Sequence, residues 1–138
     1  MYIIGGFFIS RDKQRKEVRS LSSKRRIKIR RGKFYIYYPN GSHPSLIFSK
    51  NKRKNRYDAI VFGTTPGRHR IKLDHPMSPN VEMSVVQTRP VRGVRSDFGD
   101  KEVIGLYINK DDKIKIEIIK RRKPKKSAKY KKQQNSKI

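Results

Sequence analysis

Two adjacent threonines, two histidines and several arginines stand beside turn signals in the middle of the chain. Together they are the side-chain types that can act on a phosphodiester. His43 lies in Gly41-Ser42-His43-Pro44, and Thr64-Thr65 precede Pro66-Gly67. His69 sits between Arg68 and Arg70, and Arg89 follows further on. An imidazole titrates near ~6.5, so His43 can take or give a proton near neutral pH. Cleaving an RNA backbone without a metal needs three things: a base for the 2′-hydroxyl, an acid for the leaving 5′-oxygen, and positive charge or N–H groups for the phosphorane. In that scheme His43 is the base or acid, Thr64 or Thr65 positions the phosphate, and Arg68, Arg70 or Arg89 supplies charge. The competing reading of His43 is a loop imidazole beside a turn proline. His69 is flanked by two arginines whose field opposes its protonation, so it reads as an exposed strand residue. His75, before Pro76 in a polar loop, reads as structural.

Other motifs are less specific. The stretch 63–68 (GTTPGR) offers backbone N–H groups to a phosphate, or is a plain hairpin turn. It is not a P-loop, because no Gly-Lys-Ser/Thr follows. Arg89, Arg92 and Arg95 recur every three residues with Val91 and Val94 between them, which reads as a basic stripe for RNA or as a solvated loop, the net charge favouring the stripe. Alternation sends Phe34, Ile36 and Tyr38 to one face of a strand and Tyr35 and Tyr37 to the other. Tyr35 or Tyr37 could stack a base, although core packing is the simpler use. Asp97, Asp100 and Glu102 are loop carboxylates at a common spacing, and they assign no metal. No cofactor motif is present.

These groups belong to a chain of 138 residues with 37 Lys+Arg against 11 Asp+Glu, a net charge of +26. No cysteine is available for disulfides, thiolate zinc sites or iron–sulfur clusters. No stretch approaches the ~20 apolar residues of a membrane helix. The balance predicts a small cytoplasmic protein with no membrane role and a polyanionic partner. The charge is concentrated at the ends: residues 120–138 hold ten Lys/Arg and no acid. Residues 123–138 therefore read as a disordered basic tail that contacts nucleic acid or the ribosome, or else only keeps the chain soluble, and residues 1–30 as a basic N-terminal extension. Within that extension, 2–4 and 7–9 read as short strands, 11–20 as a short basic helix, and 22–31 as a strand with Ile27 and Ile29 alternating. The opening residues lack the charged start and small-residue cleavage site of a leader.

Between the ends, short apolar runs alternate with turns, as a small antiparallel barrel or sandwich requires. The runs are 33–38, 45–49, 58–64, 68–73 and 82–88. The 58–64 run is nearly all apolar and reads as a buried strand. Pro39-Asn40-Gly41 and Pro66-Gly67 supply turns. Residues 101–108 are apolar again. Residues 109–120 (NKDDKIKIEIIK) suit a strand through alternating Ile114, Ile116 and Ile118. They equally suit a helix with acids in its first turn and cations in its last.

The order of these pieces resembles the MazF/PemK group of toxins from toxin–antitoxin pairs, which includes Kid and CcdB. The resemblance rests on Arg31-Gly32 leading into Lys33-Phe34-Tyr35-Ile36, then on Gly41-Ser42-His43-Pro44 leading into Ser45-Leu46-Ile47-Phe48-Ser49. It continues with Ile60-Val61-Phe62-Gly63-Thr64-Thr65 and with Ser84-Val85-Val86-Gln87-Thr88-Arg89. It covers residues 31–122. It implies a small SH3-like antiparallel barrel with a C-terminal helix over 109–122, a homodimer, an acidic antitoxin partner and a cytoplasmic endoribonuclease acting on single-stranded RNA. It also implies that the loop carrying Lys50, Lys52, Arg53, Lys54 and Arg56 flanks the RNA channel and contacts phosphates. One departure matters. The family's ribonucleases carry an Arg before the strand-two proline, where this chain has His43, so a fixed charge becomes a titrating one. Two alternatives follow: a non-catalytic basic DNA- or RNA-binding protein of a plasmid or phage, and a toxin-fold inhibitor of a protein target.

Overall fold

The computed structural model describes residues 2–4, 7–9 and 28–135. The helix expected over 11–20 and most of the strand expected over 22–31 lie outside them. The strands expected at 2–4 and 7–9 are present: β1 (Tyr2–Ile4) and β2 (Phe7–Ile9) pair antiparallel. Residues 28–30 carry no strand, yet Ile29 is buried.

The body is mainly β. The further strands are β3 (Phe34–Tyr37), β4 (His43–Asn51), β5 (Arg56–Gly63), β6 (Arg70–Lys72), β7 (Val85–Gln87), β8 (Val91–Gly93), β9 (Phe98–Ile104) and β10 (Lys125–Lys126). Two helices follow β9 and β10, α1 (Lys113–Lys120) and α2 (Ala128–Asn135). The sheet runs β1-β2-β9-β3-β4-β5-β7-β6, with β8 also on β5 and β10 on β8. All pairings are antiparallel except β10 with β8. Among the described strands the path is open, with β1 and β6 as its two ends.

β5 is central because every residue from Tyr57 to Phe62 is buried. It holds β4 along one edge. Along the other it holds β8 near its start and β7 near its end. Strand alternation divides the core in two. Ile60 and Phe62 pack with Ile36, Val86, Ile116 and Ile119, which brings α1 onto that side. Tyr57, Ala59 and Val61 pack with Tyr35, Tyr37, Ile47, Val91 and Phe98. The expected split of Phe34 and Ile36 from Tyr35 and Tyr37 is therefore the split between the two clusters.

The ambiguous segment 109–120 is helical. Asn109 Oδ1 accepts the Asp111 N–H at 2.9 Å, opening a 3-10 turn (Lys110–Asp112) that runs into α1. Ile116 and Ile119, three apart on a helix, reach the core, whereas Ile114 and Ile118 stay exposed. The buried Asp112 carboxylate accepts the N–H groups of Asp74 (2.8 Å) and His75 (3.1 Å), tying this turn to the loop after β6.

Residues 123–135, the described part of the tail expected over 123–138, carry β10 and α2. Lys125 N–H donates to Pro90 O (2.8 Å) and Ser127 N–H to Arg92 O (2.9 Å), which sets β10 beside β8. Ser127 Oγ then accepts the Tyr130 N–H at 3.1 Å, an N-cap bond that starts α2. Tyr130, 6% exposed, anchors the helix, and the Gln133 amide donates to Lys54 O at 2.8 Å. Composition missed this because a few anchoring contacts suffice once the sheet offers an unpaired strand edge.

Candidate nucleic-acid interface

β4 begins at His43 and β5 ends at Gly63, so their antiparallel pairing brings these residues to the same end of the sheet. The turn before β4 puts Asn40 at φ +63° and Gly41 at φ +116°. Gly41 is needed twice. Its backbone is left-handed, and a Cβ there would lie 3.0 Å from His43 Nε2. On the other side, a Cβ on Gly63 would lie 3.9 Å from His43 Nδ1. The imidazole thus sits between two residues that leave it room. Among the described residues its ring nitrogens have no hydrogen-bond partner.

Thr64 and Thr65 follow β5 and are exposed. A small cavity of about 170 Å³ is lined by His43, Thr64 and Thr65 together with Ser42, Gly63 and Arg70. Arg70 is fixed there by donating from Nη1 to Thr65 O at 2.9 Å. The three residues singled out for chemistry are therefore brought together with a guanidinium.

His43 also lines a larger cleft of about 690 Å³. Among the described residues its cations are Arg68, Arg70, Arg89, Lys125 and Lys126, and no carboxylate lines it. His69 is on the same cleft, in the left-handed region at φ +62°, with its carbonyl accepting the Thr88 N–H at 3.0 Å. One wall is the 125–128 segment. Arg89 holds that wall by donating from Nε to Lys123 O (3.0 Å), and Arg122 returns a bond to Thr88 O (2.9 Å). Lys125 and Lys126 are the cleft cations that sequence reasoning did not single out. The available signal was Ser127 followed three residues on by Tyr130, a capping residue and an anchor in an otherwise polar run.

The basic stripe does not form. Arg92 makes a two-point bond with the Asp58 carboxylate (2.8 and 3.1 Å), which raises its already high pKa. Arg95, 9% exposed, donates to Phe98 O and pairs with Asp100. Only Arg89 of the three reaches the cleft. A three-residue period has no common face where a strand passes into a 3-10 turn. Lys50, Lys52, Arg53, Lys54 and Arg56 also lie away from the cleft, on and beside the β4–β5 hairpin turn at the opposite end of both strands.

Tyr35 and Tyr37 are core residues. The Tyr35 hydroxyl accepts the Arg30 N–H at 2.9 Å, and burial raises its pKa. Tyr37 touches the cleft from beneath. Burial, and then the nearby Asp97 carboxylate, push its phenol up to about 12. Asp97 itself is 2% exposed and accepts from Val94 N–H (2.9 Å) and Ser127 Oγ (2.6 Å), so its carboxylate is committed to structure. Among the described residues no group of three potential metal ligands is clustered. His75 Nε2 lies 3.1 Å from Asp111 Oδ2, and His75 lines neither cavity. No described helix is long and apolar enough to cross a membrane.

Comparison of the chain with protein-family models, with curated proteins and with solved structures finds no match.

Proposed function

We propose that the chain binds single-stranded nucleic acid in this cleft and cleaves RNA there without a metal, as an endoribonuclease toxin resembling the MazF/PemK group. One observation carries the reading. His43, Thr64, Thr65 and Arg70 converge at the edge of a cleft lined, among the described residues, by five cations and no acid. On this reading β3, β4, β5, β7 and β8 are an open version of that group's SH3-like barrel, α1 is its final helix, and an acidic antitoxin covers the cleft. His43 takes the 2′-hydroxyl proton as the 2′-oxygen attacks phosphorus. The P–O5′ bond breaks, and the 5′-oxygen leaves with a proton from solvent. The products are a 2′,3′-cyclic phosphate and a 5′-hydroxyl. The Thr64 and Thr65 hydroxyls and Arg70 hold the phosphate oxygens as negative charge builds.

A second reading has its own support. The His43 ring has no partner among the described residues to fix its tautomer, and an unoriented imidazole is a poor base. In that case the cleft grips DNA or RNA without cutting it. One assay separates the two. Long RNA is incubated with the protein in EDTA and the ends are mapped. Defined cuts that vanish in His43→Ala and persist in His75→Ala support the nuclease. Binding without cuts supports the second reading. RNA neither bound nor cut removes both and leaves a protein target.

A further inference from the structure

The far end of the sheet carries a second concentration of charge. Residues 28–33 run beside the second half of β4, held at its middle by backbone bonds from Gly32 N–H to Ile47 O (2.7 Å) and from Ile47 N–H to Lys33 O (3.1 Å). Buried Ile29 pins the segment, and its carbonyl accepts from Lys50 Nζ at 2.9 Å. Lys28, Arg30 and Arg31 are thereby gathered around Lys50 and Lys52. Among the described residues none of these five has a carboxylate in ion-pair reach. Desolvation lowers the Lys50 pKa first, and the like charge of those four neighbours lowers it further. Backbone pairing therefore holds cations together against their repulsion.

We infer that Lys28, Arg30, Arg31, Lys50 and Lys52 form a second phosphate-binding surface, separate from the cleft, so that one chain grips two stretches of polynucleotide at once. The inference rests on the polyanion-binding reading above and adds a second site to it. Separation is set by β4. Lys50 is seven residues along the strand from His43, roughly 23 Å at the usual rise. The Debye length at physiological salt is about 8 Å, so each cluster attracts its own phosphates with little help from the other. The sequence groups Lys50 with the hairpin tip beside the cleft. The structure instead groups it with residues 28–31.

The test counts ligands. The probe is a 2′-O-methyl oligonucleotide of about four nucleotides, the short end of single-strand footprints. It cannot be cut, and it is titrated calorimetrically at low salt into the full chain. The expected stoichiometry is two per chain. Lys28→Ser/Arg31→Ser/Lys52→Ser, all at exposed positions, should leave one, with the remaining affinity unchanged within about twofold because distant sites act independently. Lys125→Ser/Lys126→Ser should weaken the other site alone. Donor- and acceptor-labelled oligonucleotides should show energy transfer with the full chain and lose it in the first variant. A stoichiometry of one, or both variants weakening the same single site, overturns the inference even where RNA is still cut. No binding by either cluster overturns the polyanion reading with it.

Discussion

Removing the two cations that the C-terminal wall contributes should change how binding responds to salt, by an amount the cleft fixes in advance. Lys125 and Lys126 are exposed, and the wall is held by backbone bonds, Ser127 and Tyr130, so Lys125→Ser/Lys126→Ser should fold normally. Five cations line the cleft. Each phosphate neutralised on a single strand contributes about 0.7 to the log–log salt slope, so the cleft contributes about 3.5 and the variant about 2.1. Between about 50 and 200 mM salt, the cleft's share of affinity should fall about a hundredfold in the parent and about twentyfold in the variant. The assay is fluorescence anisotropy with a labelled 2′-O-methyl RNA across that range. Lys110→Ser/Lys113→Ser is the control. It removes the same charge from exposed positions that line neither cavity, and its slope should match the parent. An equal drop in slope for both variants would refute the reasoning, because binding would then follow net charge and not the cleft.

Other outcomes follow from single contacts. Tyr130→Ala empties the anchor under α2 and should cost about 3 kcal/mol of wall docking. Amide exchange over 125–134 should accelerate while β4 and β5 stay protected. Gly41→Ala forces a side chain into a left-handed turn at 3.0 Å from the His43 ring. It should cost about 1 kcal/mol or more, and it should shift the His43 ring resonances in the NMR spectrum before it disturbs those of His75. The Tyr37 phenol is held neutral to about 12 against an ordinary 10.0. Its contribution to stability is therefore complete below pH 10 and is lost as pH climbs from about 10 to about 12. Asp97→Asn removes the lesser cause and leaves burial, so the ultraviolet titration of Tyr37 should move down while staying above the ordinary value.

The strands were readable where burial and turn chemistry agree. β5 announces itself as a nearly unbroken apolar run, and Asn40-Gly41 adopts the positive φ values such a pair favours. The meeting of His43 with Thr64 and Thr65 was legible for a related reason: strand ends joined by one hairpin must return to the same edge. What sequence could not supply was any pairing distant along the chain. Arg92 looks like a free cation until β8 lies against β5 and places Asp58 in reach. Lys50 looks like part of a hairpin tip until 28–33 lies beside β4. The C-terminal segment looks disordered because its composition offers little to bury, and its docking is set by an edge that β8 presents. The choice between helix and strand at 109–120 turned on which isoleucines find the core, which periodicity alone does not decide.

The parallel seam between β10 and β8 has a bearing on how the molecule comes into being. The strands up to β9 and the helix α1 make their contacts with one another without residues 123–135, so the sheet can settle before that segment docks to close the groove. Gln133 finally reaches back to Lys54, a span of 79 residues, and contacts so remote in sequence form late. A folding chain would therefore pass through a stage in which His43, Thr64 and Thr65 have met but the 125–128 wall of the cleft is missing. Any ligand that needs Lys125 and Lys126 would have to wait until that last segment docks.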